Sequence, residues 1–193
     1  MIEGLRDRCI KNFYEKYGEE KIIVFGEGKS DARLMLIGEA PGKQETLLKK
    51  PFVGQAGKNL NEFLHSLNIN REDIYISNVV KYRPFKINPK SNTISNRPPK
   101  KEEIIECMPY LLEEIDIINP LVIVTLGNVA LKSVLKDEKA TIGALHGTII
   151  DLNKKESKLF PLYHPASIIY NRSLKEVYDN DIKKLKVLMD DGI

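Results

Sequence analysis

The sequence has few cysteines and no long apolar run, and each shortage excludes a class of protein. Cys9 and Cys107 are its two cysteines, so a disulfide framework is excluded, and these thiols alone cannot complete a four-ligand zinc or iron–sulfur site. No stretch approaches the roughly 20 apolar residues of a membrane span. The chain opens with the mixed charges of MIEGLRDRC instead of the apolar segment of a signal peptide. We therefore expect a cytoplasmic protein with no membrane partner and no structural metal.

The composition is that of a folded globular protein. Hydrophobic residues make up 42% and charged residues 30% of a chain of 193 residues, which is the length of about one domain. We therefore expect a single domain over residues 1–193. The net charge of +3 does not by itself indicate nucleic-acid binding, because so small a balance bears mainly on solubility and long-range attraction.

Acidic residues are absent between Val79 and Lys101, a segment that carries seven basic residues. They are Lys81, Arg83, Lys86, Lys90, Arg97, Lys100 and Lys101. Such a concentration of positive charge is typical of a surface that faces phosphate groups. A basic loop that is simply solvated gives the same pattern, so both interpretations stay open at this point.

The apolar pattern predicts strands that alternate with helices. Continuous apolar runs predict strands at 22–26, 33–38, 74–80, 121–127 and 158–164. Helical spacing of apolar residues predicts helices at 5–17, 60–67, 101–118 and 174–189. Proline, asparagine and serine between residues 83 and 99 predict a long loop. The alternation indicates a three-layer α/β/α sandwich around a mainly parallel central sheet.

Polar residues follow three of the predicted strands. They lie in GEAPG (38–42), at Ser77–Asn78 and in HPAS (164–167). Because ligands bind outside the carboxyl ends of parallel strands, we expect a carboxylate, a carboxamide and an imidazole to line one pocket for a small hydrogen-bonding heterocycle. Taken singly, each motif is equally compatible with an ordinary turn or helix cap.

Five motifs in order make the chain resemble a known family. They are GEAPG (38–42), PFVGQAG (51–57), NVVKYRP (78–84), NRPP (96–99) and HPAS (164–167). At this spacing they are similar to the motifs of the family-four uracil-DNA glycosylases, over about residues 24–188. The resemblance implies a DNA repair enzyme that flips uracil out of DNA and hydrolyses its N-glycosidic bond. It also implies a twisted, four-stranded parallel sheet between helices.

The resemblance assigns the residues that bind the base. Phe52 matches the aromatic residue that stacks on the flipped uracil, and Asn78 matches the carboxamide that reads its edge. Gly38 and Ala40 belong to the same substrate-binding set, and His164 matches the histidine that donates to uracil O2 as the bond breaks. An aromatic face suits a planar base, and a carboxamide can donate to O4 and accept from N3–H, a pattern that cytosine presents in reverse. Without its neighbours, Phe52 would be interpreted as a core residue.

Two glutamates are candidates for the group that orients water or stabilises the cationic sugar. Glu39 is the second residue of GEAPG, and Glu45 matches the first acid of a pair that follows this motif in the family. Thr46 stands in place of the second acid. We expect a shared catalytic role with Glu39 in the pocket, and the alternative for Glu39 is a cap on the amides of the turn.

The predicted DNA contacts lie in two segments. The residues expected to bind phosphates, which give affinity without base selectivity, are Lys81, Arg83, Arg97, Arg172 and Lys175. The residues expected at the wedge that fills the gap left by a flipped base are Ile168, Ile169 and Tyr170, and Ser167 beside them is a further DNA-binding candidate. The alternative is that Ile168, Ile169 and Tyr170 begin the packing face of the last helix. The implied partner is uracil-containing DNA, single- or double-stranded, bound by a monomer.

The cysteine pattern departs from the family. Its members hold a [4Fe–4S] cluster with four cysteines. Here Tyr82 stands at the third position, Cys107 fits the fourth, and Cys9 has no CxxC partner because position 12 is asparagine. We therefore predict that the chain has no iron–sulfur cofactor and that packing around Tyr82 and Cys107 holds this region instead.

Several functions are compatible with these residues. We expect a monofunctional glycosylase, because no lysine lies in the inferred pocket to form a Schiff base, although Lys43 and Lys81 are close in sequence. The alternatives are a non-catalytic protein that binds uracil or damaged DNA on the same fold, and a glycosylase for another deaminated base. A nucleotide-processing hydrolase is disfavoured, since neither a GxxxxGK[ST] loop nor a magnesium-binding acidic cluster is present.

Overall fold

The computed structural model describes residues 1–152, 156–171 and 173–190. The helices are α1 (Ile2–Tyr17), α2 (Lys43–Leu48), α3 (Gln55–Ser66), α4 (Lys101–Ile118), α5 (Asn128–Leu135), α6 (Ile142–Leu145), α7 (Pro165–Tyr170) and α8 (Leu174–Asp190). The strands are β1 (Glu27–Gly28), β2 (Leu34–Gly38), β3 (Tyr75–Asn78), β4 (Phe85–Ile87), β5 (Ile94–Asn96), β6 (Val122–Leu126), β7 (Ile150–Asp151) and β8 (Lys158–Leu162). Among the described helices, none combines the length and the apolar character needed to cross a bilayer.

The central sheet is mainly parallel, as the sequence predicts. Its strand order within the described chain is β1-β3-β2-β6-β8-β7. The four middle strands are parallel, and a two-residue antiparallel strand extends each edge, so the sheet has six strands where the resemblance implied four. Gly38 pairs with Asn78 at the carboxyl end of β2 and β3, and Leu126 pairs with Leu162 at the same end of β6 and β8.

Two hydrophobic clusters cover the two faces of the sheet. Met35 and Ile37 of β2 belong to the cluster that includes α1, α4 and α5, and Leu34 and Leu36 belong to the cluster that includes α3 and α8. Side chains alternate between the faces of a strand, so a central strand buried on both faces must be apolar at every position. The LMLIG and VIVTL runs meet this requirement at every position except Thr125, and the three-layer α/β/α prediction is confirmed.

Two local predictions need correction. Residues 22–26 do not form a strand: Ile23 makes an isolated bridge to Tyr82, and Val24 N donates to Lys81 O. These residues are apolar because their side chains lie in the core, not because they belong to a hydrogen-bonded strand: Ile23, Val24 and Phe25 are all buried. The predicted loop at 83–99 contains an antiparallel hairpin, β4–β5, whose strands are free of proline.

Candidate functional site

A cavity of about 310 Å³ lies at the carboxyl ends of β2, β3 and β8. It brings together residues that are far apart in the sequence, including five of the predicted site residues. Its lining is Ala40, Gly42, Lys43, Gln44, Glu45, Phe52, Gly54, Gln55, Ala56, Asn78, Asn96 and His164. The strand ends therefore meet in space as the parallel arrangement predicts.

Gly38 creates the close approach between two of these side chains. A Cβ at this position would lie 2.5 Å from Cζ of Phe52 and would overlap Oδ1 of Asn78 even more closely. The ring of Phe52 and the carboxamide of Asn78 thus meet over the bare backbone of Gly38. This glycine is required for space, and it places an aromatic edge beside a buried carboxamide.

The backbone around Phe52 has an unusual conformation that aims its ring at the cavity. Phe52 has φ of 50°, in the left-handed region that side-chain-bearing residues seldom adopt. Gly57 makes this possible, since a Cβ there would overlap the carbonyl oxygen of Phe52. Arg71 Nη2 donates to the carbonyl oxygen of Pro51 at 2.6 Å and fixes the start of the loop. Strain of this kind persists only where the surroundings enforce it.

Glu45 ties the Phe52 loop to the turn after β2. Its buried carboxylate accepts hydrogen bonds from Gly42 N at 3.1 Å, Val53 N at 3.0 Å and Gly54 N at 2.7 Å. Hydrogen bonds to an ionised group are among the stronger ones in proteins. Both oxygens of this side chain are engaged with backbone amides, which makes Glu45 a clamp between two loops of the site.

His164 faces Phe52 across the cavity, with ring centroids 6.1 Å apart and planes at 26°. It begins α7, and its Nδ1 accepts a hydrogen bond from Ala166 N at 3.2 Å. Because Nδ1 acts as the acceptor, the proton of the neutral ring lies on Nε2 and is available as a donor. Burial lowers the pKa of His164, which favours this neutral form.

Glu39 is half-buried directly after β2, but it does not line the cavity described above. Its backbone oxygen accepts a hydrogen bond from Val80 N at 3.0 Å. Burial raises the pKa of the Glu39 carboxyl, so ionising this group is harder than ionising a solvated glutamate.

Lys81 does not contact DNA, and the prediction for this residue is wrong. Its side chain has 0% exposure, and Nζ pairs with the carboxylate of Glu114 in the core. Nζ also donates to Ser77 Oγ and to the carbonyl oxygen of Asn78, each at 2.8 Å. The carboxylate of Glu114 accepts in addition from Gly26 N, Tyr75 Oη and Ser77 Oγ. The lysine therefore supports the strand end that carries Asn78.

Arg83 and Arg97, the other two predicted DNA contacts in this segment, form hydrogen bonds that stabilise the β4–β5 hairpin. Arg97 forms a double hydrogen bond with Glu103, at 2.7 Å for each nitrogen, and Arg97 Nε donates to Phe85 O at 3.1 Å. Arg83 Nε donates to Asn96 Oδ1 at 2.7 Å. A guanidinium held by a carboxylate in this way is poorly placed to bind phosphate, so the structure favours a structural role for Arg97.

The predicted wedge begins at α7, beside His164. Ser167 is half-buried, and Ile168 is half-buried against the cluster that contains Phe63 and Tyr178. The part of Ile168 that is buried there fits the alternative interpretation, in which this side chain packs in the core. The side chains of Ile169 and Tyr170 and all of Arg172 lie outside the described residues.

Asn96 lines the cavity, although the sequence predicts no role for it. It ends β5 and reaches the cavity from the hairpin, opposite the strand ends. Its place in the NRPP motif was the available signal, since a polar residue inside a motif shared by a family deserves a functional interpretation. Lys43, Gln44 and Gln55 are further exposed lining residues.

The residues at the expected cluster position do not fit a [4Fe–4S] group. Cys9 and Cys107 are buried, and burial raises the pKa of their thiols to about 12 and about 11. A metal ligand must be the thiolate, which these surroundings disfavour. Tyr82 is buried with its ring centroid 5.5 Å from that of Phe13. Within the described part of the chain, no three histidine, cysteine, aspartate or glutamate side chains are grouped to hold a metal ion.

Comparison with known proteins agrees with this fold. The family model described as Uracil DNA glycosylase superfamily matches residues 25–186. The chain belongs to the uracil-DNA glycosylase superfamily.

Within this superfamily, the chain is family-four-like, because type-4 uracil-DNA glycosylases are its relatives at about 40% identity. It is 42% identical over 167 residues to a type-4 uracil-DNA glycosylase of Thermotoga maritima, covering 85% of this chain and 81% of that protein. Identity to the type-4 protein of Archaeoglobus fulgidus is 40% over 167 residues, covering 84% and 79%. A type-5 uracil-DNA glycosylase of Pyrobaculum aerophilum is 32% identical over 162 residues, covering 75% and 66%.

Proposed function

We propose that this chain removes uracil from DNA by hydrolysing the N-glycosidic bond and leaves an abasic site. It is a monofunctional glycosylase, a hydrolase of N-glycosyl bonds that serves base excision repair. The observation that carries the proposal is the meeting of Phe52, Asn78 and His164 around one cavity at the carboxyl edge of the sheet. A planar ring, a carboxamide and a neutral imidazole are the groups that an extruded pyrimidine can use.

Phe52 and Asn78 select the base in this proposal. The ring of Phe52 packs on the face of uracil, and the carboxamide of Asn78 donates to O4 and accepts from N3–H. Cytosine presents a donor and an acceptor in the opposite order, so a carboxamide held in the orientation that suits uracil is left unsatisfied by cytosine. A buried polar group without a partner costs about 1–3 kcal/mol, which is enough to discriminate between the two bases.

His164 stabilises the leaving group. Breaking the glycosidic bond leaves negative charge on uracil and positive charge on the sugar, so a fixed donor near O2 lowers the barrier. The neutral ring with its proton on Nε2 supplies that donor, because Nδ1 is occupied by Ala166 N. A preorganised donor of this kind contributes about 3 kcal/mol, or roughly a hundredfold in rate.

The two glutamates take different parts. Glu39 does not line the cavity itself, but it directly precedes the lining residue Ala40, and in this proposal its half-buried carboxylate orients water and stabilises the cationic sugar. Glu45 acts through other residues, since its oxygens already accept three backbone amides. It is therefore a positioning residue that holds the Phe52 loop, a narrower role than the catalytic one suggested by the sequence.

No lyase step is assigned to the described residues. Lys81 is fixed in the core by Glu114 and cannot reach a substrate. Lys43 lines the cavity and is exposed, so the expectation that no lysine lies in the pocket is wrong, and trapping with borohydride tests whether Lys43 forms a Schiff base. We expect no covalent complex between the chain and DNA.

The test uses a uracil-containing oligonucleotide and measures free uracil and alkali-labile abasic sites. Asn78→Ala and His164→Ala should each lower the rate by about a hundredfold or more. His65→Ala is the matched control, because His65 is exposed on α3 and does not line the cavity. A wild-type chain that binds the oligonucleotide without releasing uracil would instead identify a binding protein on this fold.

The remaining attributes are also proposals. We propose that the chain works without an iron–sulfur cluster, which is supported by the poor fit of Cys9, Cys107 and Tyr82 to such a group. Uracil-containing DNA is the proposed partner. A single domain over 1–193, a monomeric state and a cytoplasmic location stay predictions from the sequence.

A further inference from the structure

The β4–β5 hairpin presents an exposed apolar surface beside the cavity. Phe85 pairs with Asn96 and Ile87 pairs with Ile94, so these four side chains share one face of the hairpin. Phe85, Ile87 and Ile94 are 48%, 55% and 52% exposed. Large apolar side chains that are exposed side by side are typical of a surface that binds another molecule. We call the surface formed by Phe85, Ile87 and Ile94 the hairpin face.

The hairpin is built to hold this face in a fixed position. At its base, Arg97 bonds both to Glu103 of α4 and to the carbonyl oxygen of Phe85. At its tip, Asn88 N donates to Thr93 O at 2.9 Å, and Lys90 N donates to Asn88 Oδ1 at 2.9 Å. Hydrogen bonds at both ends of the β4–β5 hairpin therefore hold its apolar face in place.

The position and charge of the hairpin indicate what binds there. Asn96 lies on the same face and also lines the cavity, so the hairpin face continues the surface of the candidate active site. Lys90, Lys100 and Lys101 near the two ends of the hairpin are exposed, Lys86 is exposed on its opposite face, and the segment from Val79 to Lys101 holds no acidic residue. Apolar side chains among positive charges, next to a base-binding pocket, fit a strand of DNA with exposed bases.

We propose that the hairpin face stacks on the DNA bases next to the extruded uracil. Phe85 supplies the ring on which a base rests, Ile87 and Ile94 extend that contact, and the nearby lysines bind the phosphates. Base extrusion exposes the faces of the neighbouring bases, and an aromatic ring covers such a face whatever the base is. This inference rests on the proposed function for the place of uracil, but DNA binding at the hairpin can be measured without catalysis.

The experiment uses the fact that the chain contains no tryptophan. Phe85→Trp places a single indole on the hairpin face, and Val187→Trp places one on the last turn of α8, where Val187 is 58% exposed and does not line the cavity. Each variant is titrated with a single-stranded oligonucleotide that contains a non-cleavable deoxyuridine analogue, and binding is followed independently by anisotropy of labelled DNA. We expect quenching of the indole at saturation for Phe85→Trp and no change for Val187→Trp.

A second pair of variants measures how much the contact contributes. Phe85→Ala combined with Ile87→Ser should weaken binding of this oligonucleotide about tenfold, in line with the loss of one stacked base. Val187→Ser should leave binding unchanged. Both chains are checked for an unaltered unfolding temperature, and Phe85→Trp should retain the affinity of the wild type.

The outcomes separate this inference from the proposed function. If DNA saturates Phe85→Trp without altering its fluorescence, or if the double variant binds like the wild type, the hairpin proposal is overturned even when uracil is released. If the indole is quenched and the wild type releases no uracil, the hairpin contact stands and the glycosylase proposal fails. A wild-type chain that does not bind the oligonucleotide contradicts both.

Discussion

Lys81 Nζ donates a hydrogen bond of 2.8 Å to the carbonyl oxygen of Asn78, the residue that ends β3 at the cavity. The same ammonium group pairs with Glu114 of α4 in the core. A buried ion pair thus lies directly beneath the carboxamide proposed to read uracil. The position of that carboxamide depends on a charge that has no contact with solvent.

Removing one partner of this pair should destabilise the fold. Lys81→Met leaves the Glu114 carboxylate buried and unpaired, so we expect the free energy of unfolding to fall by about 3–5 kcal/mol. Denaturant titration measures the loss. Combining Lys81→Met with Glu114→Leu removes both charges and should recover part of the stability. Full stability in the single variant would contradict the role given to the pair.

Gly38→Ala should damage the site more than the fold. The added methyl group overlaps Phe52 and Asn78 and must push them apart. Overpacking of this kind costs about 1–3 kcal/mol of stability, and we expect uracil release to fall by about a hundredfold. Gly4→Ala is the control, because a Cβ at Gly4 in α1 meets nothing within 4 Å. Normal kinetics for Gly38→Ala would mean that the two side chains do not act together.

Glu45→Gln distinguishes a positioning residue from a catalytic base. Glutamine has one acceptor oxygen where three amides need acceptors, and each lost bond to a charged group is worth about 1.5–3 kcal/mol. We expect faster hydrogen exchange at the amides of Val53 and Gly54 and a lower kcat. The shape of the pH profile should stay the same. Loss of its acid limb would instead identify Glu45 as the group that activates water.

The pH dependence should be set by Glu39 and His164. Burial raises the pKa of Glu39, so protonation removes the working carboxylate at a higher pH than for a solvated glutamate. Burial lowers the pKa of His164, so the neutral donor persists below the ordinary value of about 6.5. We therefore expect kcat/KM to fall on the acid side through the ionisation of Glu39. Glu39→Gln should lower the rate and flatten this limb, and an unaltered limb would assign it elsewhere.

The cofactor prediction is tested by removing metal. Cys9 and Cys107 are buried thiols with raised pKa values, and Tyr82 is buried against Phe13 of α1. We expect purified protein to contain less than one iron per chain and to show no visible absorption band. Treatment with a chelator should leave the unfolding temperature unchanged. Bound iron that is lost together with stability would show that a cluster forms with other ligands.

The sequence predicted the part of the structure that depends on local patterns. The buried strands that end at Gly38 and Asn78 follow from continuous apolar runs, and their convergence follows from parallel pairing. Lys81 could not be placed, because its partner Glu114 lies 33 positions away and a buried lysine has the same local pattern as a solvated one. The hydrogen bonds of Glu45 could not be predicted either, because the amides of Val53 and Gly54 approach its carboxylate only after the loop folds back.

The β4–β5 hairpin shows that proline positions predict where the chain turns but miss short strands between the turns. Prolines at 84, 89, 98 and 99 predict an irregular segment, and the two strands occupy the short intervals between them. Three-residue strands are too short to give a periodic pattern. Their pairing depends on Arg83 and Arg97, which the sequence suggested only as positive charge.

The Phe52 loop is ordered by bonds that form when the chain folds, with Glu45 holding two of its amides and Arg71 holding the carbonyl oxygen of Pro51. Its conformational entropy is therefore lost during folding and not at the encounter with DNA. An incoming nucleotide meets a recess whose shape is already settled. The free energy of its contacts with the recess then contributes to affinity in full, because none of it is needed to order the loop.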